Sequence, residues 1–533
     1  MAPAAGGSSA RALLLLQIGV RLLTFVLNQL LIRTVNPAVF GAANVQLELV
    51  LSVVVSLARD GVRAAILRRQ ATLSTPATAR ALHNLALLPI AAGSVLAAAV
   101  GGAYLRYMAP PSLWAEGGAA LPVSVALYGL GALLELMAEP LHTRALGLPQ
   151  YVRIRIGMEA GGVLARAMVH VLLLQPACLL WMRVHCAPYL AVPVSEFPWA
   201  LLAFGLARAA YGAAFLAMAC ASVAWRTSVR AMAHTLWPTR QEPWFDAPDT
   251  RALVRVTTAQ AALKLALTEG DKLALTKLTS LAHQGGYALA SNYGSILART
   301  LFQPLEESAR LQLSQGTDER AKARAATLLQ ALLRVHVLLG GALVAFGPPL
   351  AHAALRIVAG AQWAEPPSPA APILATYCYY LPVMGVNGLV EAFVQAVAPP
   401  HVLAWYSRVL VLSSVAFVAV LYAAQAPVLS KYLGAESAIV WANVTALGVR
   451  AGASYRYVVH YFGPTPYRSQ VAWSALRPRV RTLGLLVLCA AVLRSSAIQA
   501  QSAAVQLGTG VALASVLLVQ AWRTCIDALA VLR

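Results

Sequence analysis

A chain of 533 residues that is 59% hydrophobic, only 11% charged and of mean hydropathy +0.66 is not a soluble globular protein, since such proteins carry about 25% charged residues. Its formal net charge of +21 would suggest nucleic acid in a soluble chain; here loop asymmetry is the first explanation, and no nucleic-acid partner is expected. Six cysteines without a C-x-x-C pair and ten histidines without H-x-x-x-H spacing argue against a disulfide framework and against any metal site.

The first apolar run, about residues 12–33, is too long for the core of a cleaved signal peptide. It contains Arg21 and lacks a small-residue cleavage site, so it reads as a retained membrane helix. Further runs long enough to span a bilayer fall at about 39–58, 81–103, 121–143, 156–178 and 199–224. A polar stretch at 226–255 follows. Eight more runs come after it, at about 253–275, 285–305, 326–347, 370–396, 402–424, 437–460, 480–496 and 503–522. The total is 14 candidate spans, and Gly347-Pro348-Pro349 is the place where the ninth would break. The N-x-[ST] match at Asn443 lies inside an apolar run and is not expected to carry a glycan.

Topology supports the count. With the N-terminus in the cytosol and loops assigned alternately, cytosolic segments hold about 25 Lys/Arg, and the opposite side holds about six: Arg33, Arg106, Arg183, Arg356, Lys431 and Arg494. This is a positive-inside pattern with both termini cytosolic, and it accounts for most of the net charge. The polar stretch separates six spans from eight. Phe40 to Arg63 also echoes Tyr287 to Arg310, 247 residues later, each closing on a charged pair (Arg59-Asp60, Glu306-Glu307). Six-helix repeats of like orientation are expected: an N-terminal lobe at 1–225, a cytosolic linker at 226–252, a C-terminal lobe at 253–461 and two extra helices at 462–533.

About ten Lys/Arg and seven carboxylates remain inside or at the ends of spans. Ionisable groups at membrane depth cost roughly 2.5–3.5 kcal/mol each, so they are expected to be used or paired. Helical spacing gathers polar residues into stripes: Gln17, Arg21, Thr24 and Asn28; Gln260, Lys264, Thr268 and Asp271; Asn292, Ser295, Arg299 and Gln303; Asn387, Glu391 and Gln395; Asn443, Arg450 and Ser454. A polar stripe cannot face lipid. Five stripes from both halves predict an all-α polytopic membrane protein with two six-helix lobes around a central polar cavity. The competing reading is interhelical glue. Glu135 and Glu139, one turn apart, suit either a proton relay or neutralisation of cavity arginines. Inward cations such as Arg21, Lys264 and Arg299 suit a phosphate-bearing head group, with Asn, Gln and Ser for sugar hydroxyls. No G-x-x-x-x-G-K-[ST] motif is present, so no nucleotide or other cofactor is expected.

The motifs resemble the eukaryotic Rft family. Its marks are Gln17, Arg21, Thr24, Phe25, Asn28 and Arg33; Arg59 and Arg63; Glu135 with Glu139-Pro140-Leu141; Arg155 with Glu159; Thr268-Glu269-Gly270; Gln284-Gly285; Asn292 and Arg299; Phe302-Gln303-Pro304-Leu305-Glu306-Glu307; Asn387-Gly388 with Glu391; and Asn443 with Arg450. Two departures are Asp60, where the family usually has Glu, and Gln46, where a basic residue is common. The resemblance implies residence in the endoplasmic reticulum membrane and a non-enzymatic part in moving a dolichol-diphosphate-linked oligosaccharide to the lumenal leaflet for protein N-glycosylation. Its partners would be that lipid-linked oligosaccharide and membrane lipid, and the protein is expected to be a monomer. The other reading is an accessory protein that binds the glycolipid without flipping it. A drug or cation antiporter of the same fold is disfavoured by the inward cations. A lipid-phosphate glycosyltransferase is disfavoured because the first loop on the opposite side, Asn36 to Val39, holds no Asp or Glu.

Expected contacts to the diphosphate or sugars are Arg21, Asn28, Arg33, Arg63, Lys264, Arg299, Asn387, Asn443 and Arg450. Expected gates or charge partners are Asp60, Glu135, Glu139, Glu269, Asp271, Glu306, Glu307 and Glu391, with a latch between Arg59 or Arg63 and Glu306 or Glu307.

Overall fold

The computed structural model describes residues 23, 25–70, 76–145, 151–175, 196–224, 237–238, 248–313, 319–424, 426 and 437–532. Among them there is helix and no strand, as bilayer-spanning chain without barrel closure requires. The principal helices are α1 (25–34), α2 (Glu48–Gln70), α3 (Pro76–Ala103), α4 (Ala120–Met137), α5 (Tyr151–Leu174), α6 (Glu196–Ala224) and α7 (Pro248–Leu278). They continue with α8 (Leu281–Leu297), α9 (Glu319–Val358), α10 (Ala370–Val397), α11 (Pro400–Ala423), α12 (Ala438–Tyr461), α13 (Val480–Arg494) and α14 (Ala503–Leu532). Helices coincide with the predicted runs where those are described, the first run only at 23 and 25–33. Nine segments among the described residues are long and apolar enough to cross a membrane. The places that miss that mark have reasons. α7 carries Lys264, Glu269, Asp271, Lys272 and Lys277, α12 carries Arg450 and Arg456, and α13 has only 15 residues.

Local sequence sets the helix ends and breaks. Asn36 caps a short helix, Pro37–Gly41, by accepting from the Ala38 N–H at 2.8 Å, with Pro37 at the first helical position. That helix runs into α2 through a π-helical turn, Ala42–Leu47. Similar π turns close α3 at Tyr104–Met108 and extend α8 at Ala298–Phe302, where the chain continues as a helix over Gln303–Leu313. Such turns widen the helix and re-aim side chains. Pro348 and Pro349, where the ninth span was expected to break, are carried inside α9, which runs unbroken for 40 residues.

The chain forms two compact units, Met1–Gln284 and Gly285–Arg533. The linker expected at 226–252 lies mostly outside the described residues. In the first unit α6 packs on α4 and α5, and α2 packs on α3 and α7. The α2–α7 crossing depends on Gly61. A Cβ there would overlap Thr258, and Thr257 Oγ1 donates to the Gly61 carbonyl at 2.7 Å. In the second unit α10 packs between α9 and α12, α11 lies on α12, and α13 and α14 lie on α9. An apolar cluster that includes Leu329, Leu333, Leu389, Phe393 and Phe462 fills the α9–α10–α12 junction.

Candidate functional site

Each unit carries a cluster of charge between helices. In the first, Glu135 of α4 accepts from two arginines: Arg59 Nη1 of α2 at 2.8 Å and Arg208 Nη2 of α6 at 2.6 Å. Arg59 Nε also reaches Asp60 at 3.2 Å. One turn on, in the helix Glu139–Ala145 that continues α4, Glu139 takes a two-pronged bond from Arg63, with Nε to Oε2 at 3.1 Å and Nη2 to Oε1. The Arg208 guanidinium lies 4.4 Å from the centroid of the Tyr211 ring. Fork-to-carboxylate geometry is what arginine offers and lysine does not. Arg59 and Arg63 thus bind Glu135 and Glu139 of their own unit.

Beside this cluster is a small recess of about 10 Å³, lined by Asn28, Asn44, Glu48, Tyr128, Arg166, His170 and Arg208 among others. That is the room of about one water. Buried atoms facing no protein partner, His170 Nε2 and Arg208 Nε, are the groups such a water would satisfy.

On α7, Glu269 pairs with Lys272 at 2.8 Å and accepts from Ser52 Oγ of α2 at 3.0 Å. A second network has three buried side chains. Tyr104 donates to Gln46 Oε1 at 2.6 Å, Gln46 Nε2 donates to Gln284 Oε1 at 3.0 Å, and Gln284 Nε2 donates to the Thr279 carbonyl at 3.1 Å. It joins two π turns to the start of α8.

In the second unit Glu391 of α10 is the hub. It accepts from Arg450 Nη2 of α12 at 2.7 Å, from Asn387 Nδ2 at 3.0 Å and from Gln395 Nε2 at 3.3 Å. The predicted stripe Asn387, Glu391 and Gln395 is therefore one hydrogen-bonded column. Glu306, just past the α8 π turn, lays its carboxylate on Gly388, where any Cβ would overlap it. Two family marks 82 residues apart, Glu306 and Asn387-Gly388, thus meet (388 minus 306). Asn443 donates to the Tyr287 hydroxyl at 3.2 Å. Arg334 donates to the Ala475 carbonyl at 2.7 Å.

Among the expected contacts, Asn28 lines the recess, Arg33 and Lys264 are exposed, and Arg63, Asn387, Asn443 and Arg450 are hydrogen-bonded within their units. Among the expected charge partners, Asp60, Glu135, Glu139, Glu269 and Glu391 are in ion pairs. Arg21 lies outside the described residues, as do the side chains of Asp271, Arg299 and Glu307. Sequence reasoning noted Glu48, Arg166 and Arg208 as charges in spans but assigned them no site. It missed His170 and the Tyr104–Gln46–Gln284 chain. Gln46, a departure from the family pattern, and Gln284, one of its marks, were the signal, but nothing in one sequence pairs them.

The profile of the family described as "Rft protein" matches residues 7–529. A mouse protein named "Man(5)GlcNAc(2)-PP-dolichol translocation protein RFT1" is 28% identical over 503 residues, covering 90% of this chain and 86% of its own. A Saccharomyces cerevisiae protein of the same name is 27% identical over 444 residues, covering 73% of this chain and 72% of its own. Among solved structures, "Lipid II flippase MurJ, inward closed conformation" superposes with a TM-score of 0.51 at 11% identity, over 96% of this chain and 100% of that one. The last likeness is one of fold. With the profile running almost from end to end, the chain belongs to the Rft protein family.

Proposed function

We propose that this protein takes part in moving a dolichol-diphosphate-linked oligosaccharide from the cytosolic to the lumenal leaflet of the endoplasmic reticulum membrane, for protein N-glycosylation. The observation that carries the reading is near full-length similarity to proteins named as translocation proteins for such a lipid. The flippase-like fold supports it. Movement needs no covalent chemistry of the protein's own. The polar head group crosses along protein groups while the isoprenoid chain stays in lipid, which avoids exposing charge to hydrocarbon.

Arg33 and Lys264, exposed on the first unit, are proposed diphosphate contacts, together with Arg21 of that unit and Arg299 of the second. Asn28, Asn387 and Asn443 suit sugar hydroxyls. Arg63 and Arg450, held by Glu139 and Glu391, would act by exchanging a carboxylate for a phosphate. Both termini are proposed to be cytosolic.

Purified full-length protein in liposomes, given a labelled dolichyl-diphosphate oligosaccharide, tests this. The expected result is protein-dependent loss of label from the outer leaflet. Folded protein that binds the lipid without moving it, in cells whose glycosylation still depends on it, would replace translocation with an accessory, lipid-holding role.

A further inference from the structure

The two units repeat one charge layout, with one sign reversed. In the first, α2, α4 and α6 contribute Arg59, Glu135 and Arg208, so the carboxylate sits between two guanidinium groups. The 247-residue echo places Glu306 at the register of Arg59. In the second unit α10 contributes Glu391 and α12 contributes Arg450, at 2.7 Å, which repeats the Glu135–Arg208 pair. The third member is Glu306, a carboxylate in place of an arginine. The second cluster therefore sets two carboxylates against one direct cation, where the first sets two cations against one carboxylate.

A second observation lies in the same cluster. Asn387 is 4% exposed and donates its amide nitrogen to Glu391, yet its carbonyl oxygen, Oδ1, has no hydrogen-bond partner. An orphaned buried acceptor beside two carboxylates calls for a donor. Gly388, by having no side chain, lets Glu306 lie against that turn of α10. Among the described residues the remaining neighbours do not supply the missing proton. Arg450 is already on Glu391. Arg310, one turn along from Glu306, is exposed. His336 of α9 is buried, with Nδ1 against its own helix carbonyl, Leu332 O, at 2.9 Å. The Tyr406 hydroxyl of α11 is buried without a hydrogen-bond partner, so it does not reach Asn387 Oδ1.

We propose that Glu306 and Glu391 share one proton, making this cluster a proton-binding site in the second unit. The carboxylate takes the proton from water and becomes a neutral acid whose O–H donates to the other carboxylate or to Asn387 Oδ1. Release returns the proton to water and restores both negative charges. Glu306 lies on Gly388 and Glu391 is one turn further along the same helix, and like charges that meet at one site do not both ionise readily. The first unit's Glu135, held between two arginines, is the internal control.

The test uses the full-length protein, purified in detergent, and a hydrophobic carbodiimide, which reacts with protonated carboxyls in apolar surroundings. Modified residues are read by peptide mass spectrometry between about pH 5 and about pH 9. Glu306 or Glu391 is expected to be modified at low pH, with labelling falling about tenfold per pH unit once the site deprotonates. Glu135 should stay unmodified, and Glu306→Gln should abolish labelling at the cluster. An infrared carbonyl band of a protonated carboxyl, lost with the same pH dependence, is expected from the unmutated protein. The proposal is overturned by absence of labelling at both residues across that range, or by labelling that ignores pH but is blocked by sodium, which would give the site to a metal cation. None of these readouts involves lipid movement, so they stand or fall apart from the translocation reading.

Discussion

Burial decides what a charged pair in this protein is worth. Arg208 and Glu135 are 8% and 13% exposed at their side chains, whereas Arg155 and Glu159, paired at 2.9 Å, are 56% and 53% exposed. Glu135→Ala strands the buried Arg208 guanidinium and leaves Arg59 only Asp60, and is expected to destabilise by about 3–5 kcal/mol. Arg155→Ala should change stability by less than about 1 kcal/mol. Thermal unfolding of the two variants in one detergent would compare them directly, and equal shifts would mean the Glu135 cluster is solvated. Gln46→Ala leaves Tyr104 and Gln284 without their buried partner, for a loss of about 1–3 kcal/mol by the same measurement. Much of this scale was legible in the sequence. Glu135, Glu139 and Glu391 stood out because carboxylates in spans must be paired. Their partners were not legible, because Arg208 lies 73 residues from Glu135 and only helix packing brings them together.

Among elements, small residues set how closely helices cross. Gly61 faces Thr258 with no room for a Cβ, while Gly452 has open space around it. Gly61→Ala should push α7 off α2 and cost about 1–3 kcal/mol. Gly452→Ala should be neutral or slightly stabilising, since alanine is the better helix former. Melting temperatures of the two variants check this, and a neutral Gly61→Ala would show that the α2–α7 contact is loose. Helix positions followed from apolar run length, since the runs coincide with helices wherever they are described. What the runs did not convey was the interruption of helices by π turns at Ala42–Leu47, Tyr104–Met108 and Ala298–Phe302, because an extra residue in a turn leaves hydropathy unchanged. The proline pair in α9 pointed to a break that packing on α10, α13 and α14 overrides.

For the whole molecule, the excess of Lys/Arg on alternate loops predicts both termini on the cytosolic side. Tags at the two ends should be accessible to protease in membranes opened only at the plasma membrane, and an introduced glycan acceptor at either end should stay unmodified. A glycan at one end only would mean an odd number of spans. The chain belongs to the Rft protein family, and its fold is like that of a lipid II flippase.

Composition alone determined that this chain is a helical membrane protein, because 59% hydrophobic residues and 11% charge leave no soluble alternative, and its motifs carried the family. Spacing determined which helix faces are polar, since a 3.6-residue period fixes side-chain direction before any packing occurs. Only the tertiary structure decided that Glu391 is a hub for Arg450, Asn387 and Gln395, and that Glu306 reaches Gly388. Those contacts join helices far apart in the chain, and their charge balance appears only when the helices stand side by side.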